Sequence, residues 1–238
     1  MGEREGVLSD AAINSNTKPN TGLKSGLSSG AHALPDNLPE GVSLWPNRLN
    51  RGQQEALRDD LRSVLAEAPL FVPTMPRTGK PMGVRMTNMG RLGWVTDKEG
   101  GYRYQDAHPV TGKAWPAIHP MLISLWHACA PAAPMPEACL VNYYGPGTKM
   151  GLHQDRDEVD FSAPVLSVSL GDSCLFRVGG TARGGKTVSF QLNSGDVMML
   201  AGPARLAYHG VDRLYEGTSD LLKKGGRVNL TLRRVTAA

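Results

Sequence analysis

From Ala138 onward the chain breaks into short β-prone runs at 139–144, 149–154, 164–170, 173–178, 187–192, 196–200, 205–210 and 227–235, each bounded by Gly, Pro, Asn or Asp. Eight short strands at this spacing point to a sandwich or jelly roll and away from a βαβ repeat. Two helical patterns come before them. Over 53–67, Leu57, Leu61, Val64 and Leu65 share one face, and Asn50 with Gln53 offers a capping-box start. Over 117–130, Ile118, Met121, Leu122, Leu125 and Trp126 fall at helical spacing, with Pro116 and Pro120 near the beginning, where proline is tolerated. The expected fold is mostly β with flanking helices, the helices covering one face of the major sheet.

The 238 residues suffice for one sizeable domain. Residues 1–40 are rich in Gly, Ser, Asn and Pro and poor in large apolar residues, so they read as a disordered extension. The domain is expected over 41–238, with helices in 41–135 and the strand-rich core in 136–238. Four Lys/Arg against five Asp/Glu leave residues 1–50 at a net −1, and the rest of the chain carries +5. A basic body of this kind suits a polyanionic partner. Cys129, Cys139 and Cys174 form no CxxC pair and read as reduced, buried thiols. No run is apolar enough to span a bilayer, and no signal-peptide layout opens the chain. A cytoplasmic protein without a membrane partner is expected, and a monomer, since no apolar seam is evident.

His153 and Asp155 stand two apart in a β-prone run, so both project from one face of a strand. His209 follows on a later strand, which a rolled sheet can bring alongside. Two histidines and one carboxylate suit Fe(II) and leave three coordination positions open. The same donors could serve a zinc hydrolase.

Residues 227–233 alternate strictly. Arg227, Asn229, Thr231 and Arg233 share one face and Val228, Leu230 and Leu232 the other. If the apolar face is buried, the arginines point inward and require an anion, because an unpaired buried charge is costly. A guanidinium fork matches a carboxylate bidentately. A hydrolase leaves these inward arginines unexplained.

Three segments carry a resemblance. They are Met86-Thr-Asn88-x-Gly-x-Leu-Gly-Trp94, then Asn142-x-Tyr144-x-Pro-Gly-x-Lys-x-x-Leu-His153-Gln-Asp155-x-Asp157-Glu158, and Arg227-x-Asn229-Leu-Thr-x-Arg233. Together they resemble the AlkB family of Fe(II)/2-oxoglutarate-dependent dioxygenases over about 86–233. The resemblance implies a double-stranded β-helix (jelly roll) with an N-terminal nucleotide-recognition lid. It implies oxidative demethylation of N-alkylated bases, such as 1-methyladenine and 3-methylcytosine, in single-stranded or damaged DNA, with RNA as a further substrate. Fe(II) would be the metal, with 2-oxoglutarate and O2 as co-substrates. The alternatives are an oxygenase of the same chemistry acting on tRNA or protein, and a module that grips damaged nucleic acid without turnover.

The resemblance also implies roles. His153, Asp155 and His209 would ligate iron. Arg227 would pair with the distal carboxylate of 2-oxoglutarate, assisted by Tyr144 and Asn229, with Asn142 and Arg233 near its other carboxylate. Trp94 would stack on a flipped base, with Met86 nearby. Asp157 would accept from the base's amino group and Glu158 would add to that field. Tyr102 and Tyr104 would hold the flanking phosphate and lid. Two departures stand out. The Trp94-to-Tyr102 interval is one residue longer than the family pattern. Thr78-Gly79-Lys80-Pro81 occupies a lid position where relatives can carry a tyrosine. A glycine-rich stretch, Thr181–Lys186, reads as a basic hairpin.

Overall fold

The computed structural model describes residues 35 and 37–237. Most of the extension expected over 1–40 lies outside the described residues. Strand β1 (Val42–Trp45) leads into α1 (Arg51–Glu67), and β2 (Arg85–Gly90), β3 (Gly93–Asp97) and β4 (Gly101–Gln105) follow. Helix α2 (Pro120–Cys129) precedes β5 (Ala138–Tyr144), β6 (Met150–His153), β7 (Val165–Gly171) and β8 (Ser173–Gly179). The chain ends with β9 (Thr187–Leu192), β10 (Val197–Leu200), β11 (His209–Tyr215) and β12 (Arg227–Arg233).

The strands form a six-stranded sheet in the order β1-β10-β7-β12-β5-β2, a four-stranded sheet in the order β6-β11-β8-β9, and the separate hairpin β3-β4. Every pairing is antiparallel. The two sheets face each other as a jelly roll, and the alternation of β12 explains the layering. Val228, Leu230 and Leu232 face outward and pack with Leu57, Leu61 and Val64 of α1 and Leu122, Leu125 and Trp126 of α2. Arg227, Asn229 and Arg233 face the interior between the sheets, where Tyr144, Phe176, Leu192 and Met198 fill much of the space. The helices therefore cover one face of the larger sheet, as their apolar stripes require.

Local chemistry sets the helix starts. Asn50 accepts from Gln53 N while Gln53 reaches back to Asn50 N, both at 2.9 Å, completing the capping box. Helix α2 begins later than the predicted 117. Pro120 occupies its first turn and His119 caps it by accepting from Met121 N at 3.0 Å.

Four strands, β1 to β4, were not predicted. β2 shows no alternation because it is buried on both faces, and its polar residues are satisfied locally. Thr87 donates to Ala68 O, and Asn88 grips both backbone groups of Trp94. Strands β1 and β2 are the two edges of the large sheet, so residues 41–135 complete that sheet as well as supplying the helices and the hairpin. The strand expected at 205–210 instead runs from His209 to Tyr215, since a 3-10 turn at Gly202–Ala204 occupies the preceding stretch. Cys139 and Cys174 are buried and Cys129 is half-buried, all as free thiols. No helix among the described residues is long and apolar enough to cross a membrane.

Leu230 is fully buried on β12 beneath the helices. Leu230→Ala is expected to cost about 2–5 kcal/mol through the cavity it leaves. Asn50→Ala, which removes only an exposed cap, should cost about 1 kcal/mol. Urea unfolding of the two variants checks the ranking.

Candidate metal centre

Strands β6 and β11 pair with His153 opposite His209. The approach is close at Gly210, where an added Cβ would lie 2.6 Å from Met150 O, so a side chain there would push the strands apart. Asp155 follows β6 by two residues and turns inward. Ligand atoms of His153, Asp155 and His209 all lie within 4.8 Å of one another. Each imidazole Nε2 is 3.7 Å from a different oxygen of Asp155.

The tautomers are fixed. His153 Nδ1 sits 3.0 Å from Gly151 O and His209 Nδ1 2.9 Å from Ala207 O. A carbonyl can only accept, so both Nδ1 atoms carry the hydrogen and both Nε2 lone pairs face Asp155. This is the orientation that metal-ligating histidines take. Burial, and next the neighbouring His153, push His209 down to about 4, so it is neutral at neutral pH. Burial alone would raise Asp155, but Arg233 first, then His209 and His153, hold it well below the ordinary carboxylate range. The donor set fits a divalent ion: one anionic oxygen, two neutral nitrogens, converging on one point.

Beside the triad lies a small interior cavity of about 40 Å³ lined by Asn142, Tyr144, Ser167, Arg227, Asn229 and Arg233 among others. Gly226, with φ +87° and no room for a Cβ beside Tyr144 O, launches β12 so that Arg227 enters this cavity. Arg227 is 1% exposed. Its Nη2 donates to Ser169 Oγ at 2.7 Å, while Nε and Nη1 have no hydrogen-bond partner among the described residues. A buried guanidinium with two idle donors has the geometry to receive a carboxylate. Ser167 hydrogen-bonds Asn229 Oδ1 at 2.7 Å, and Asn229 Nδ2 donates to Thr231 at 2.9 Å, which fixes the amide's orientation. Ser167 and Ser169 were missed from sequence. The signal available was their alternation within the otherwise apolar β7 run Val165-Leu-Ser-Val-Ser-Leu170.

A wider groove of about 600 Å³ opens outward from the same triad. Met86, Trp94, Tyr102, Asn142, His153 and Asp157 line it. Trp94 donates from Nε1 to Asp157 Oδ2 at 2.7 Å and stacks on Tyr102, with ring centroids 5.7 Å apart and planes 22° off parallel. Arg183, in the loop joining β8 to β9, sits over the Tyr208 ring on the rim.

Two residues expected at the substrate lie elsewhere. Tyr104 and Glu158 are absent from the groove lining. The Glu158 carboxylate is fully buried, paired with Arg205 at 3.1 Å and Arg233 at 3.0 Å. The Tyr104 hydroxyl joins the same cluster by hydrogen bonds to Glu158 and Arg233. A buried carboxylate takes its partners from the protein, which is why neither group faces outward. Arg233 lines both the cavity and the groove beside the triad, as expected, and does more. Its Nη2 holds Asp155 Oδ2 at 2.8 Å, so it braces a triad residue. Arg205, unnoticed in the sequence, is 2% exposed and donates to Ala163 O and Asp155 O.

The comparisons with known proteins agree with this geometry. The profile described as the 2OG-Fe(II) oxygenase superfamily matches residues 41–233. The chain is 49% identical over 206 residues to the alpha-ketoglutarate-dependent dioxygenase AlkB homolog of Caulobacter vibrioides (strain NA1000 / CB15N), spanning 87% of this chain and 93% of that protein. The chain belongs to the AlkB-type 2OG-Fe(II) oxygenases. It is also 41% identical over 184 residues to alpha-ketoglutarate-dependent dioxygenase AlkB of Escherichia coli (strain K12), covering 76% and 84% of the two chains. The solved structure of OsALKBH1 is similar at a TM-score of 0.69 and 29% identity, covering 83% of this chain and 100% of that one. Membership assigns Fe(II) as the metal and 2-oxoglutarate and O2 as co-substrates.

Two outcomes are expected. Asp155→Ala should abolish the rise in melting temperature that a divalent metal gives the wild type. For the metal-free protein, the unfolded state takes up a proton at His209 below about 6.5, whereas the folded state does so only near 4. Stability contributed by neutral His209 is therefore complete above pH ~6.5 and lost as pH falls toward ~4. Urea midpoints across that window should decline in the wild type and flatten in His209→Asn.

Proposed function

We propose that this chain removes alkyl groups oxidatively from N-alkylated bases, such as 1-methyladenine and 3-methylcytosine, in single-stranded or damaged DNA. The observation that carries this reading is a groove, with an aromatic platform and a carboxylate on its wall, that ends on the His153–Asp155–His209 triad. When bound, iron(II) with 2-oxoglutarate and O2 supplies the oxidation that hydroxylates the N-alkyl carbon, whose hemiaminal then releases formaldehyde.

The chain's own residues bind and orient. Arg227 takes the distal carboxylate of 2-oxoglutarate through its idle Nε and Nη1, with Tyr144 and Asn229 on the same cavity wall. Burial keeps the Tyr144 phenol protonated, so it is a donor toward an anion. Asn142 and Arg233 lie where the inner cavity meets the outer groove, beside the triad.

A base inside a duplex cannot reach the triad, so the substrate base is flipped or single-stranded. Trp94 offers one face to it, since Tyr102 covers the other. Stacking of this kind stabilises each base by about 1–3 kcal/mol without regard to sequence. Asp157 sits at the edge of that platform and accepts from an exocyclic amino group. Its negative charge favours cationic lesions over neutral bases.

The deciding assay supplies Fe(II), 2-oxoglutarate and air to the full chain with a single-stranded oligonucleotide bearing 1-methyladenine, read by mass spectrometry. Loss of one methylene mass, dependent on both additions and absent in Asp155→Ala, is expected. Co-substrate consumption with an unchanged oligonucleotide would overturn the base assignment. Trp94→Ala should weaken oligonucleotide binding by roughly tenfold, the equivalent of ~1.4 kcal/mol. Unchanged affinity would remove Trp94 from the platform role.

A further inference from the structure

The recognition hairpin is tied to the metal centre by a short chain of polar contacts. Trp94 on β3 and Tyr104 on β4 are Cα partners across that hairpin. Each reaches one of two consecutive acidic residues. Trp94 donates to Asp157 at 2.7 Å, and Tyr104 donates to Glu158. Arg233 Nη1 then lies 3.0 Å from both the Tyr104 hydroxyl and Glu158 Oε1. The other end of the same guanidinium holds Asp155 at 2.8 Å. Arg205 closes the far side by pairing with Glu158 and donating to Asp155 O at 2.7 Å.

We propose that Tyr104 and Glu158 are positioning residues that clasp the recognition hairpin to Arg233, so that occupation of Asp155 by the metal tightens the hairpin. This rests on the reading of the triad as the iron site. Arg233 shares its charge between Asp155 on one side and Glu158 with Tyr104 on the other. A cation drawn to Asp155 repels the guanidinium and draws electron density from the carboxylate that held it. Arg233 then pairs more strongly with Glu158, the remaining anion in reach. Tyr104 follows, because its hydroxyl accepts from Arg233 while donating to Glu158. Burial, opposed by Arg233 and aided by Glu158, keeps that phenol protonated and able to donate. By reciprocity, a docked hairpin must favour metal retention by the same factor.

Hydrogen exchange on the full chain, with and without manganese(II) plus 2-oxoglutarate, tests this without turnover. In the wild type, loading should slow exchange across residues 93–105 by about fivefold or more, the low end of ordinary coupling between sites. In Tyr104→Phe that response should vanish while β5 and β12 exchange as in the wild type. A Tyr104→Phe hairpin that responds like the wild type overturns the clasp. So does a wild type that binds manganese, judged by its melting temperature, without any hairpin response. Should Tyr104→Phe lose protection throughout, Glu158→Gln is read by the same criterion. It keeps an acceptor for the phenol and removes the charge that attracts Arg233. A wild type that fails to bind manganese defeats the reading of the triad itself, and the clasp with it. The demethylation assay can fail without altering any of these readouts.

Discussion

The Arg233 guanidinium, sealed between Asp155 and Glu158, is the interaction on which the rest of the structure depends. Two arginines and two carboxylates are buried together, with side chains 7% exposed at most. Charges taken out of water this far persist only when their partners are in place, and removal of one partner typically costs about 3–5 kcal/mol. That cost enforces the register of β12, which carries Arg233 at one end and Arg227 at the other. A slip of one residue would turn both guanidiniums into the apolar layer under α1 and α2. The same cluster keeps Asp155 ionised and stationary before any metal arrives.

The two sheets divide the labour around this cluster. The six-stranded sheet contributes the Arg227 pocket through β5, β7 and β12, and the four-stranded sheet contributes both histidines through β6 and β11. The triad therefore sits at the seam between a small inner cavity and a much wider outer groove. A small dianion and a bulky base can approach from opposite sides without competing for space.

Much of this was legible in the sequence, for identifiable reasons. The strict alternation of 227–233 reported which arginines face inward, and the Asn50/Gln53 pair marked the start of α1. The His153-x-Asp155 spacing pointed to a common site, although β6 ends at His153 and Asp155 turns inward from the loop that follows. What escaped notice lacked a periodic signal. Strand β2 is buried on both sides and carries Thr87 and Asn88, whose partners are local backbone groups. Arg205 caps the 3-10 turn at Gly202–Ala204, with no pattern to show that it is buried. Tyr104 and Glu158 look like substrate contacts in one dimension, because only the folded chain reveals that each satisfies the other.

The fixed histidine tautomers have a consequence for proton economy. Ligands must be deprotonated to bind a metal, so loading commonly expels protons into solution. Here Asp155 is ionised, and His209, neutral with its hydrogen committed to Ala207 O, has nothing to give up. An incoming ion displaces no proton from either group at neutral pH. Capture of the ion at these two ligands therefore needs no proton release at neutral pH.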